Sequence, residues 1–177
     1  MENLVKCFKI NDDPVELKEL RRVETVKIVN AMDYVRKNTI VFFEENNLVV
    51  YDSEADKKTT TNLVNVNRVK AINNNCLALN THNGFAMVDL RCPSKLNCHI
   101  KMPLCLNGLE AASEESIWIG GYDAFKKKGI IGVIDPRFGQ TMWLNNLNHP
   151  KMVSEISSID GYIVSGDASG RINLWLN

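Results

Sequence analysis

Four stretches of this sequence close in the same way. Leu48-Val49-Val50-Tyr51-Asp52, Phe85-Ala86-Met87-Val88-Asp89, Ile131-Gly132-Val133-Ile134-Asp135 and Ile172-Asn173-Leu174-Trp175-Leu176 are short apolar runs with one shared pattern. A turn precedes each: Glu45-Asn46-Asn47, His82-Asn83-Gly84, Lys128-Gly129 and Ala168-Ser169-Gly170. Another apolar run lies before each turn, so every unit contains a hairpin of two strand-length segments. The penultimate positions 51, 88, 134 and 175 are separated by 37, 46 and 41 residues. A unit of that length holds about four strands, cannot bury its sheet alone and has to stack on its neighbours.

The totals agree with a globular chain. Its 177 residues are 45% hydrophobic and 24% charged, enough for one domain with a sizeable core. Lys plus Arg equals Asp plus Glu at 21 each, which argues against a dominant nucleic-acid or anionic-membrane partner. No apolar run approaches the roughly 20 residues that span a bilayer. Five scattered cysteines (Cys7, Cys76, Cys92, Cys98 and Cys105) and the lack of any Asn-x-Ser/Thr acceptor favour a reducing compartment, cytoplasm or nucleus.

The first 25 residues read differently from the rest. Leu4–Ile10 has the character of a strand. Asn11-Asp12-Asp13-Pro14 offers a helix start, and the Glu, Leu, Lys and Arg of residues 15–23 favour a short helix by propensity. From about Val26 onward the helical period disappears.

Val164-Ser165-Gly166-Asp167-Ala168-Ser169-Gly170-Arg171-Ile172-Asn173-Leu174-Trp175 resembles the second half of a WD40 repeat. The resemblance implies an all-β fold: a partial or small WD40-like β-propeller, with three to four blades of four-stranded antiparallel sheet and a short N-terminal strand and helix. The blades fall at about 26–62, 63–101, 102–146 and 147–177, behind an N-terminal segment 1–25. Several departures stand out. Leu176 replaces the final Asp, Tyr51, Val88 and Ile134 replace Trp, and no Gly-His dipeptide opens a blade. The family's buried Asp-His-Ser/Thr-Trp relay is therefore not expected in any repeat. A second stretch, Gly121–Trp143 with its Asp135-Pro136-Arg137, is similar to the propeller region of plant BTB/POZ proteins related to the KCTD group. That similarity implies substrate recruitment to a cullin-based ubiquitin ligase.

Seven blades need roughly 280–300 residues. The chain therefore fits a fragment, a half-propeller that pairs with another chain, or a shortened gene product without independent function. A four-bladed ring closed by Leu4–Ile10 is the alternative. An open end leaves a strand edge, and self-association through it is expected.

The chemistry-bearing residues point away from catalysis. Cys92, Cys98, His99 and Cys105 are the one metal-like set, but their spacing does not suit zinc and adjacent Cys98 and His99 point to opposite faces of a strand. No metal and no cofactor is expected. The Asp residues closing the third strands read as turn residues that bind local backbone N–H groups. Gly120, Gly121, Gly129 and Gly132 read as turn and strand-end glycines, not phosphate loops. Ser113, Ser116 and Ser165 with His82, His99 and His149 offer no supported triad.

The expected function is that of a non-enzymatic protein- or peptide-binding scaffold, the alternative being a four-bladed propeller enzyme or metal-binding protein. The partner site is placed at Tyr122, Phe125, Lys126, Lys127 and Lys128, with His82 and Asn83 on a smaller turn. There, exposed aromatics stand beside cations.

Overall fold

The chain, a computed structural model, is described over residues 4–12, 15–25, 27–63, 65–102, 104–143 and 149–176. It opens with an antiparallel hairpin, β1 (Leu4–Asp12) and β2 (Val15–Glu24). The helix expected over residues 15–23 is thus a strand. Asp13 and Pro14, its expected start, lie outside the described residues. The pairing carries a bulge: Cys7 faces Arg21 and Phe8 faces Glu19, so Leu20 is the extra residue. The extra residue changes the phase of β2, so the position of Val23, opposite Val5, falls on the other face from positions 15 and 17, and no single strand period runs through the segment.

Each repeat then folds as a meander. β3 (Val29–Arg36), β4 (Thr39–Glu44), β5 (Asn47–Asp52) and β6 (Lys57–Asn62) form the first four-stranded sheet in chain order. β7 (Val66–Asn73), β8 (Cys76–Thr81), β9 (Gly84–Asp89) and β10 (Leu96–Lys101) form the second. β11 (Cys105–Ala111), β12 (Ile117–Asp123), β13 (Lys128–Asp135) and β14 (Gln140–Trp143) form the third. The fourth has three described strands, β15 (Val153–Ile159), β16 (Tyr162–Asp167) and β17 (Ile172–Leu176). Neighbouring strands in each sheet run antiparallel, and among the described residues there is no helix.

The sheets pack face to face in sequence order. Val41, Phe43 and Leu48 meet Val66, Val69, Leu77 and Leu79 between the first and second sheets. Phe85 and Ala78 meet Leu106, Leu109 and Ile119 between the second and third. Trp118 and Ile131 meet Val153, Ile156 and Ile163 between the third and fourth. Val5 and Val23 of the hairpin cover Ile40, Phe42, Val49 and Tyr51, the other face of the first sheet. All of β4 is buried for this reason, since alternate residues serve two different interfaces. The first strands β3, β7, β11 and β15 lie successively beside one another, which makes them the inner strands of a β-propeller-type stack.

The glycines expected at turns and strand ends sit inside β12 and β13. A Cβ on Gly120 would stand 2.6 Å from Val153 Cγ1, so its absence lets the fourth sheet close on the third. A Cβ on Gly121 would stand 2.1 Å from the Cys105 carbonyl oxygen, inside its own sheet. Backbone cannot swing aside as a side-chain tip can, so Gly121→Ala is expected to destabilise by about 1–3 kcal/mol or more. Gly166→Ala has nothing within 4 Å and should stay within about 0.5 kcal/mol. Urea midpoints of the two variants against the wild type measure the contrast.

Candidate functional site

The aspartates that close the third strands cap the turns they enter. Asp52 Oδ1 accepts from the N–H groups of Glu54 and Ala55 at 3.0 and 3.1 Å. Asp89 and Asp135 accept from the N–H groups of Arg91 and Arg137, and each also binds that arginine's guanidinium. The hydrogen-bonded Arg91 holds the Asp89 carboxyl at about 2, and Arg137 likewise lowers Asp135. These carboxylates are turn residues, as their local chemistry predicts.

The fourth sheet contains a device the sequence reading did not expect. Trp175 Nε1 donates to Ser165 Oγ at 2.8 Å. Ser165 Oγ lies 2.8 Å from His149 Nε2, and His149 Nδ1 lies 3.1 Å from Asp167 Oδ2. A carboxylate only accepts, so Nδ1 carries the proton that faces Asp167. In the neutral imidazole Nε2 is then the acceptor for the Ser165 hydroxyl, and Asn173 Nδ2 lies 3.0 Å from the same nitrogen. Asp167 Oδ1 separately accepts from Ser169 Oγ at 2.6 Å and from the N–H groups of Ser169 and Arg171. This is the Asp-His-Ser-Trp relay of the WD40 resemblance, built once among the described residues, and it corrects the expectation that no repeat assembles it. Asn148 stands in the sequence where the family's glycine was sought, but the relay chemistry needs only the imidazole.

The same atoms satisfy the spacing of a Ser-His-Asp triad, also not expected. Accessibility separates the two readings. Ser165 is fully buried, the His149 and Asp167 side chains are both 0% exposed, and the Trp175 indole occupies the serine oxygen. A nucleophile needs a free face toward substrate, and this serine has none in the folded state. Burial works against the Asp167 charge, yet hydrogen bonds from Ser169, Arg171 and His149 outweigh it and leave the carboxyl below its ordinary 3.8.

Polar side chains also join the inner strands. Arg68 on β7 donates to the Asn107 carbonyl at 3.1 Å and pairs with Glu155 on β15 at 3.1 Å. Lys70 on β7 pairs with Glu110 on β11 at 3.1 Å, and Ser158 on β15 donates to Glu110 at 2.5 Å. Burial opposes the Lys70 charge, but Glu110, with Asp33 and Glu155 near it, holds the ammonium above its ordinary range. Each charge here faces an opposite partner.

The residues singled out for partner contact lie on turns between the second and third strands of their sheets. Such turns share one end of the stack, because alternate connections of a meander emerge at opposite ends. Asp123 Oδ1 accepts from the N–H groups of Phe125 and Lys126 at 2.9 and 3.0 Å, and Lys127 takes a left-handed φ of 53°. The capped turn holds Phe125 86% exposed, with Lys126 and Lys127 exposed beside it and Tyr122 and Lys128 half-buried. His82 and Asn83 are exposed and line a shallow polar recess with Asn46, Asn65, Thr81 and His99. Cys92 and Cys105 are exposed, while Cys98 and His99 occupy consecutive positions of β10. Among the described residues, no three His, Cys, Asp or Glu side chains gather as metal ligands.

No family model matches the sequence, and no curated protein matches it. Solved propeller structures do. The chain is similar to the computationally designed Ika4 protein at 17% identity, with 86% of this chain and 92% of that one covered and a TM-score of 0.65. It is similar to a chain of a mitotic checkpoint complex at 16% identity, with 99% and 55% covered and a TM-score of 0.70. It is similar to BamB from Moraxella catarrhalis at 10% identity, with 85% and 43% covered and a TM-score of 0.63. The chain spans about half the length of the last two. At these identities the likeness is one of fold, and the fold is that of the β-propellers.

Ser165→Ala leaves the Trp175 N–H without its acceptor and removes the hydroxyl facing His149. Its expected cost is about 2–3 kcal/mol, against about 1 kcal/mol for Trp175→Phe if packing is kept. The double variant should fall short of the sum, which denaturant melts will show. Because the folded-state carboxyl of Asp167 titrates below 3.8, its contribution is complete above that pH and is lost as pH falls through the folded value. Asp167→Asn should lack that part of the acid unfolding curve.

Proposed function

We propose that this chain is a non-catalytic protein-interaction scaffold that receives partners at the turn-bearing end of its sheets. The observation that carries the reading is the β12–β13 turn. Asp123 fixes its backbone, so Phe125 is held out from the turn, 86% exposed, next to three consecutive lysines. An exposed aromatic on a capped turn beside cations spares the backbone's share of ordering entropy on binding and makes a suitable anchor for an acidic or mixed partner segment. Propeller folds carry such turns on a rigid body, and the mitotic checkpoint complex is, by its name, an assembly in which a similar chain takes part. His82 and Asn83, at the same end of the second sheet, would extend the contact with hydrogen-bonding groups.

The narrower role, recruiting substrates to a cullin-based ligase, rests on the resemblance carried by Gly121–Trp143 with its Asp135-Pro136-Arg137. That stretch has a local explanation in the Asp135–Arg137 turn cap. In this reading the protein works in the cytoplasm or nucleus, which the scattered cysteines, odd in number, support.

Proteins retained by the purified chain should be lost together from Lys126→Glu/Lys127→Glu/Lys128→Glu and from Phe125→Ala, with unchanged melting temperature. Retention of the same set by both variants would remove the turn from the reading. A fluorophosphonate probe should leave Ser165 unlabelled in the folded chain. Labelling that Ser165→Ala abolishes would favour an enzyme instead.

A further inference from the structure

We propose that the outward face of the fourth sheet is a self-association surface, occupied by the same face of a second copy of this chain. The face is set by strand alternation. On β17, Asn173 and Trp175 turn toward the relay, so Ile172, Leu174 and Leu176 point away from it. They are 71%, 64% and 80% exposed. Ile159 and Tyr162 are exposed as well, and register places Tyr162 opposite Leu176 and Ile159. Five large apolar side chains on one face of one sheet form a contiguous patch, unlike the scattered apolar residues that any surface carries.

The repeat shows what such positions are for. Counting back from Tyr51, Val88, Ile134 and Trp175, the positions of Ile172 and Leu174 correspond to Leu48 and Val50, Phe85 and Met87, and Ile131 and Val133. Leu48 and Val50 pack into the first–second interface, Phe85 and Met87 into the second–third, and Ile131 and Val133 into the third–fourth. In every preceding sheet these positions are covered by another β-sheet. The fourth presents the same chemistry and has no sheet upon it among the described residues. Its surface therefore suits the apolar face of a twisted sheet rather than a charged peptide.

A second copy supplies that face without a charge penalty. Ile159, Tyr162, Val164, Ile172, Leu174 and Leu176 are all uncharged. Glu155, Asp160 and Arg171 stand only at the margins, and Glu155 is already paired with Arg68. In a two-fold pairing only side chains near the axis meet their own copies, and here that centre is uncharged. The opposite end of the stack is a poorer match, because Val5 and Val23 already cover the first sheet.

Sedimentation equilibrium of the full chain over a concentration series tests this. The wild type is expected to be a dimer that stops at two copies. Leu174→Glu, and separately Ile172→Glu, should weaken it by about 100-fold or more while near-ultraviolet circular dichroism stays native. Phe138→Glu, a comparably exposed apolar site beside the third sheet, should leave the dimer unchanged. A wild type that remains monomeric overturns the proposal, as does a dimer indifferent to both β17 variants. Growth beyond two copies that Leu174→Glu abolishes also overturns it, since same-face pairing is used up at two. None of these outcomes bears on the Phe125 turn, so the two readings fail separately.

Discussion

The structure depends on middle strands that are apolar on both faces. Thr39–Glu44 is buried at every position, and Leu77–Thr81 and Ile117–Gly121 nearly repeat it. A strand of this kind cannot lie on a surface, because either face left to water would expose several large apolar side chains. Each sheet consequently needs two neighbours. Stacking solves this for the interior sheets and moves the problem to the two ends. The hairpin of β1 and β2 covers one end, and the other carries Ile172, Leu174 and Leu176 in the open.

The repeating unit was legible because it is written in strand alternation and turn chemistry. The shared endings at Tyr51, Val88, Ile134 and Trp175 place the third strand of every sheet, and the role of Asp52, Asp89 and Asp135 followed from what a short carboxylate does beside a turn. The segment after Asp12 was misread for a physical reason. Leu20 is a bulge, so the strand period breaks there, and helix-favouring Glu, Leu, Lys and Arg filled the gap in the argument. Pairing with β1 overrode a propensity worth only tenths of a kcal/mol per residue. The interior glycines were misplaced because sequence cannot show that another backbone approaches within contact of Gly121.

The relay was missed because it was sought as a dipeptide. His149 stands 16 residues before Ser165 and 18 before Asp167, and nothing local marks these as neighbours. Antiparallel pairing of β15 with β16 brings them together, and Trp175 enters from β17. At the position of Ser165 the other sheets carry Phe42, Leu79 and Ile119, so among the described residues no second hydroxyl stands there to join an indole to an imidazole. The contact turn was easier to read, since Asp123 and the residues it caps are contiguous in the chain.

The relay sits where apolar burial is scarcest. The fourth sheet has one covered face, and its buried apolar residues are Val153, Ile156 and Ile163, whereas the first sheet buries both faces of β4. A few directional hydrogen bonds, each worth about 1 kcal/mol net, cannot replace a second apolar interface. They can fix position. His149 enters from the segment before β15, Ser165 and Asp167 lie on β16 and Trp175 on β17, so one network ties the whole sheet. Slipping β17 by one residue would bury Leu174 or Leu176 in place of the indole and strand the serine hydroxyl. The same network therefore holds Ile172, Leu174 and Leu176 outward, and the exposed apolar face is a product of the polar core behind it.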